Sequence, residues 1–274
     1  MGKIQAFAKK YTIIYCAIVE ILILAVLTGI GMLLAMMVPE SDYYVLMGAQ
    51  EGIGAVIACG LIILSGQKKV LTRKGGGFGR GLLVGMYFLV ISVYSIFIYL
   101  LAYEGERVMR PWYLIAAFFL CMFFVGVVEE FVFRGIIADL MLQKFGTSKS
   151  GIWKAVIVSG IFFGCAHLSN LFVSAPVGVL VQTIIASMMG MMLVAIYYRS
   201  GCIWVTVALH ALIDIAAGIT TGLYGNETMA DSISAYSPIQ LVSIIPYLIV
   251  LLVLLRNKKL PEIEQNMKFM GNAD

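Results

Sequence analysis

Long apolar runs, separated by short stretches that carry charge, proline or glycine, follow one another along the whole chain. The runs lie near 12–38, 43–65, 81–103, 112–134, 152–172, 178–198, 203–222 and 238–255. An α-helix needs about 20 apolar residues to cross a bilayer, and most runs have that length. The pattern therefore predicts an all-α membrane protein of about eight transmembrane helices, built as a single polytopic domain over residues 1–274.

Composition agrees with this prediction. Hydrophobic residues make up 61% of the 274 residues and charged residues only 12%, which is about half the charged share of a soluble globular domain. A soluble enzyme is therefore excluded. The net charge of +4 comes from basic clusters between apolar runs, so we expect the lipid bilayer and not nucleic acid as the partner of these residues.

The basic clusters also predict a topology. They occur at the N-terminus, within 68–80, within 144–154, at Arg199 and within 256–259, which are alternate connections between the runs. Cytoplasmic loops of membrane proteins accumulate Lys and Arg. Both termini are therefore predicted to be cytoplasmic, and the polar tail after Lys259 is expected to be mobile.

Several ionisable residues interrupt the apolar runs, where such side chains are costly and usually functional. The fourth run carries Glu129, Glu130 and Arg134, the fifth carries His167, and the seventh carries His210 and Asp214. These include the only two histidines of the chain. Their concentration on three runs predicts one shared polar site.

Helical spacing assigns faces to these side chains. Glu130 lies four residues before Arg134 and can pair with it, whereas Glu129 is turned about 100° away and can face another helix. His210 and Asp214 are also four residues apart and share a face. A spacing of four favours Asp214 as the carboxylate that orients His210.

This set of ionisable side chains is suited to peptide hydrolysis. Glu129 and His167 could activate a water molecule, while His210 and Asp214 stabilise the tetrahedral intermediate. A serine or cysteine mechanism is less economical. Ser159 and Ser169 are ordinary polar residues, and Cys165 lies two residues before His167 and points off its face.

The same four side chains could instead hold a divalent metal, since two histidines with a carboxylate form a common catalytic zinc site. The sequence therefore leaves the cofactor open, as none or one divalent ion such as zinc.

Three ordered motifs resemble those of the CPBP family, the CAAX-protease and bacteriocin-processing enzymes also called Rce1-like or Abi proteins. Residues 129–134 match its EExxxR motif, 163–167 its FxxxH motif and 210–214 its HxxxN/D motif. Each motif is weak alone, but their order and their placement in separate runs are specific. The resemblance covers about 112–218.

The resemblance implies an intramembrane endopeptidase, either glutamate-dependent or a metalloprotease. It assigns water activation to Glu129 and His167 and a supporting role to Glu130 and Arg134. It also implies that His210 and Asp214 bind the oxyanion or a metal.

The family also implies a membrane-associated protein or peptide as substrate. Its bacterial members are linked to bacteriocin immunity and peptide maturation, and the short loops of this chain are more similar to those of a bacterial, multi-pass cell-membrane protein. A prenylated substrate is not implied.

Two other functions are compatible with the same ionisable residues. A proton-coupled transporter also places Glu, His and Asp at membrane depth, but no inverted repeat is evident in the sequence. A non-catalytic scaffold of the same fold is the other alternative, and retention of all three motifs argues against it.

Overall fold

The computed structural model describes residues 2–225 and 229–267, and no β-strand occurs among them. Its α-helices are α1 (Lys3–Lys10), α2 (Thr12–Met37), α3 (Tyr43–Leu64), α4 (Phe78–Val84), α5 (Met86–Ala102), α6 (Trp112–Val132), α7 (Asp139–Phe145), α8 (Lys149–Ala166), α9 (Pro176–Ser200), α10 (Ile203–Tyr224), α11 (Met229–Ser234), α12 (Ile244–Leu254) and α13 (Leu260–Met267). Short 3₁₀ segments link several of them, and a π-helical segment, Phe133–Ala138, joins α6 to α7.

Six to eight segments in the described ranges can cross a membrane, which confirms the predicted class. Six are single helical segments: Thr12–Met37, Tyr43–Leu64, Trp112–Phe145, Lys149–Phe172, Pro176–Ser200 and Ile203–Tyr224. Two are bent pairs, Phe78–Val84 with Met86–Ala102 and Pro238–Leu254 with Asn257–Met267. Each predicted apolar run falls in one of these eight segments. The cytoplasmic placement of both termini stays a prediction.

The third span is broken at Gly85, where α4 and α5 meet at 75°. A side-chain carbon at Gly85 would collide with Leu209 of α10, and one at Gly81 would collide with Val205. Both glycines therefore let this bent span lie directly against α10.

The fourth span is longer than the predicted 112–134. It continues through the π-helical segment into α7 and reaches Phe145, a total of 34 residues. Every residue of the π-helical segment is buried. A π-helical turn within an α-helix often accompanies a functional site, and here it begins one residue before Arg134.

The prediction of a mobile tail after Lys259 is wrong for residues 260–267, which form helix α13; its remainder, 268–274, lies outside the described residues. Ile263 and Met267 are buried against the protein. Glu262 makes an ion pair with Arg199 at 2.8 Å and another with Lys259. Two apolar side chains and the ion pair to Arg199 of α9 dock this amphipathic helix and explain its order.

Two of the three motif-bearing helices, α6 and α10, lie at the centre of the bundle together with α9. About half of the most apolar stretch of each of these three spans is buried (56%, 56% and 50%), against 33% for the span of α8, 28% for α2 and 22% for α3. Outer helices expose large apolar side chains such as Phe97, Leu101 and Val56. The site thus lies in the best-packed part of the chain, inside a ring of helices that contact lipid.

Candidate active site

A close approach of α6 and α10 brings the first and third motifs together. A side-chain carbon at Gly126 would lie only 3.1 Å from the Val207 carbonyl oxygen and 3.2 Å from the Ala211 nitrogen. Gly126 therefore lets the two backbones meet one turn before Glu129 and Glu130.

Glu130 and Arg134 form the predicted pair. Nη1 of Arg134 lies 2.9 Å from Oε1 of Glu130, and both side chains are fully buried. The Arg134 guanidinium also lies over the Phe163 ring, 4.4 Å from its centroid. A buried charge needs such compensation, because an isolated one would be strongly destabilising.

Glu130 makes a second contact, with a residue of another helix, that helical spacing does not predict. Nδ1–H of His210 donates a hydrogen bond to Oε1 of Glu130 over 2.7 Å. Glu130, and not Asp214, therefore makes the hydrogen bond that fixes the imidazole and leaves Nε2 for other groups.

Two further carboxylates face Nε2 of His210. Oε2 of Glu129 lies 3.5 Å from it and Oδ2 of Asp214 lies 3.6 Å from it. Both oxygens are buried, and neither has a hydrogen-bond partner within the part of the chain that the structure describes. Glu129 thus turns away from Arg134 toward α10, as its position on the helix predicts.

His167 stands where α8 ends and a 3₁₀ segment, His167–Phe172, begins. Its Nδ1–H donates a hydrogen bond to the carbonyl oxygen of Phe163, four residues earlier, over 2.9 Å. That bond fixes the neutral ring with a lone pair on Nε2, which is then available to accept a proton or a hydrogen bond.

Phe163 holds the two histidines and the arginine at fixed spacing. Its ring centroid lies 5.1 Å from that of His167 and 5.5 Å from that of His210, both in edge-on geometry. Phe163 was identified only as part of the FxxxH motif, and its role between the two histidines was not predicted. An aromatic residue one turn before His167 on the same helix was the only sequence feature that could have indicated this role.

One cavity of about 420 Å³ is lined by Glu129, His167, His210 and Asp214 together. The four residues predicted to do the chemistry thus converge, although they come from three helices. Four methionines, Met47, Met122, Met189 and Met229, line the same cavity and give it an apolar, adaptable wall.

Two neighbouring cavities share these side chains. One, of about 250 Å³, is lined by Glu129 and His167, and by Glu51 of α3. The other, of about 340 Å³, is lined by His167 and Asp214, and by several aromatic residues including Tyr236 and Tyr247. His167 therefore lies where all three cavities meet.

Glu51 was missed, although an acidic residue inside the predicted run 43–65 was visible in the sequence. Cys165 is exposed on the outside of α8, which agrees with its predicted direction away from the His167 face.

The four candidate metal ligands do not form a recognisable metal centre. No group of three or more His, Cys, Asp or Glu residues within 2–225 and 229–267 is arranged to hold a metal ion. The Nδ1 atoms of both histidines are already committed to protein oxygens. The sequence leaves the cofactor open between none and one divalent ion, and chelation experiments decide between the two.

Comparison with known proteins gives one family. Residues 111–216 match the family described as type II CAAX prenyl endopeptidase Rce1-like. This stretch contains all three motifs and nearly coincides with the predicted core 112–218, so the resemblance is confirmed. No curated protein and no solved structure matches the chain.

Proposed function

From the match of residues 111–216 to the Rce1-like endopeptidases, we propose that this protein is an intramembrane endopeptidase. It hydrolyses a peptide bond of a membrane-associated protein or peptide, using a water molecule activated by Glu129 and His167.

The observation that carries the proposal is the pair of buried carboxylate oxygens, Oε2 of Glu129 and Oδ2 of Asp214. Among the described residues neither has a hydrogen-bond partner, although burying a polar atom without one costs free energy. Both atoms belong to a cavity that also contains two imidazoles. Unpaired acceptors beside imidazoles suit a site that completes its hydrogen bonds with water and substrate.

In the first step, water in the cavity hydrogen-bonds to Glu129 and to Nε2 of His167. As the water oxygen attacks the scissile carbonyl carbon, Glu129 takes one of its protons. His167 holds the second hydrogen of the water and so aims the attacking lone pair.

The attack turns the carbonyl oxygen into an oxyanion. Nε2–H of His210, when protonated, donates to this oxygen and stabilises the tetrahedral intermediate. Glu130 holds the ring by its Nδ1 hydrogen bond, and Arg134 balances the charge of Glu130. These two residues position His210 and do not touch the substrate.

Collapse of the intermediate breaks the C–N bond. The proton held by Glu129 passes to the leaving nitrogen, so that a new carboxyl terminus and a new amine are released and Glu129 is regenerated. One water is consumed, and no step requires a further co-reactant.

The lining of the central cavity supports a substrate with apolar side chains near the cleaved bond. Met47, Met122 and Met189 are flexible and adapt to different shapes. The proposal makes no commitment to a prenylated substrate.

The test compares membrane peptidomes of cells that express the wild type or Glu129→Gln at equal levels. Glu20→Gln is the matched control, because Glu20 is a buried carboxylate in α2 that lines none of the three cavities. We expect cleaved peptides with the wild type and the control and none with Glu129→Gln. Identical peptidomes for all three proteins would contradict the proposal and favour a scaffold.

A further inference from the structure

Glu51 is a buried ionisable residue that the proposed chemistry does not use. It lies in α3 with only 6% of its surface exposed. Its Oε1 accepts a hydrogen bond from Nε2 of Gln50 over 3.1 Å. A carboxylate in a membrane span is costly and marks a functional position.

Glu51 lines the 250 Å³ cavity that reaches the back of the active site, between α2, α3, α6 and α8. Glu129 and His167 form the wall that this cavity shares with the central one. The remaining polar lining residues are Thr28, Gln50, Ser169 and Asn170.

The cavity on the other side of His167 also has polar lining residues, among them Ser92 and Gln182, beside aromatic ones such as Tyr99 and Tyr247. Glu129 is not among its lining residues, whereas it lines the Glu51 cavity. Water occupies cavities that offer it several polar partners and leaves apolar ones dry. The Glu51 cavity has that polar lining, and its volume leaves room for several water molecules.

Hydrolysis consumes one water per turnover, yet the hydrocarbon core of a bilayer supplies none. A substrate that fills the central cavity would block entry of water from its own side. A second, polar route that ends at Glu129 and His167 removes this conflict.

We propose that the Glu51 cavity is the water inlet of the active site, and that Glu51 and Gln50 keep it hydrated. Its ligand is water, and Glu51 is a positioning residue that acts through that water. The inference rests on the proposed endopeptidase function, since only a hydrolase needs the supply.

The first arm measures turnover of reconstituted protein on a peptide substrate. Glu51→Leu removes the polar wall, and we expect kcat to fall about tenfold or more while KM changes less than about twofold. Glu51→Gln keeps polar atoms of the same shape and should stay within about threefold of the wild type. Glu20→Leu, a buried carboxylate outside the cavity, should leave both constants unchanged.

The second arm measures water directly. Leu27→Cys places a thiol on α2 in the wall of the cavity. Ala25→Cys places one at similar depth on the exposed, lipid-facing side of the same helix. We expect a small hydrophilic methanethiosulfonate to modify Cys at position 27 at least about tenfold faster than at position 25, because modification requires a hydrated thiolate. Adding Glu51→Leu should abolish the difference. Peptide mass spectrometry assigns the site against the native cysteines.

Equal modification at positions 25 and 27 would overturn the inlet, and so would normal kcat in Glu51→Leu. Modification needs no proteolysis. If the wild type cleaves nothing, the proposed function fails, while the rate at position 27 still decides whether the cavity carries water.

Discussion

Two buried clusters of acidic and basic side chains lie along the same long helical segment, and they differ in how completely their carboxylates are paired. The active-site cluster consists of Glu129, Glu130, Arg134, His210 and Asp214. The Asp139 cluster, nine residues beyond Glu130, joins Asp139 to Arg73 and Tyr197.

In the Asp139 cluster both carboxylate oxygens are satisfied. Oδ1 accepts a hydrogen bond from the Tyr197 hydroxyl over 2.9 Å, and Oδ2 accepts one from Nη2 of Arg73 over 3.4 Å. Asp139 is fully buried and lines none of the three cavities. Since both oxygens of Asp139 accept hydrogen bonds and the residue lines none of these cavities, we assign this cluster a role in stability.

The active-site cluster also contains an ion pair, Glu130 with Arg134. It differs in having buried carboxylate oxygens without a hydrogen-bond partner among the described residues, and two of these, on Glu129 and Asp214, belong to residues that line the central cavity. Both clusters are buried, so burial alone does not distinguish a structural carboxylate from a functional one. A paired carboxylate fixes the fold, whereas an unpaired one that lines a cavity is available for chemistry.

The largest expected effect on kcat is at Glu129, because Glu129 is the proposed general base. Its Oε2 has no hydrogen-bond partner among the described residues, so its replacement should cost no stability. Glu129→Gln should lower kcat by about 10²–10⁴-fold, the usual contribution of a general base, with no drop in melting temperature. His167→Ala should lower kcat similarly, although it also removes the hydrogen bond to the Phe163 carbonyl oxygen. Steady-state kinetics and thermal unfolding in detergent test both variants. Undiminished cleavage by either variant would show that the substituted residue has no catalytic role.

Arg134→Ala should damage activity and stability together. It leaves the charge of Glu130 buried and uncompensated, which costs about 3–5 kcal/mol of unfolding free energy, and it loosens the ring of His210. Unfolding and kinetics on the same preparation test this. An unchanged melting temperature would show that the pair contributes no stability.

Asp139→Asn should cost stability alone, about 1–3 kcal/mol, because the hydrogen bonds of Arg73 and Tyr197 are weakened. The kcat of the folded fraction should equal that of the wild type. A fall in kcat comparable with that of Glu129→Gln would contradict the assignment of the Asp139 cluster to stability alone.

The smallest effect is expected at Asp214. Since Glu130 already fixes His210, Asp214→Asn should keep activity within about tenfold of the wild type, and chelators should change the rate little. An inactive Asp214→Asn, with wild-type cleavage lost on chelation and restored by zinc, would instead make Asp214 a metal ligand.

Much of the fold follows from the sequence. The length of the apolar runs fixes the number of spans, and the spacing of four fixes the Glu130–Arg134 pair, since both depend on local helical geometry. The bend at Gly85 and the docking of α13 depend on distant surfaces, namely α10 and the end of α9, so apolar runs could not reveal them.

The sequence was enough to predict which residues form the site, but not which of them contact each other. The hydrogen bond from His210 to Glu130 joins residues 80 positions apart, and it depends on the close approach at Gly126. Spacing along one helix instead favoured Asp214. Glu51 and Asp139 were readable as acidic residues, but only packing separates a cavity wall from a satisfied pair.

The central claim is that Glu129 activates water to cleave a peptide bond, and isotope transfer tests it most directly. Purified wild type and Glu129→Gln are reconstituted in liposomes with a substrate peptide in water enriched in ¹⁸O. The account predicts that the wild type releases a product whose new carboxyl terminus carries one ¹⁸O atom, and that Glu129→Gln releases none. Equal release of labelled product by both proteins, or wild-type product without ¹⁸O, would contradict it.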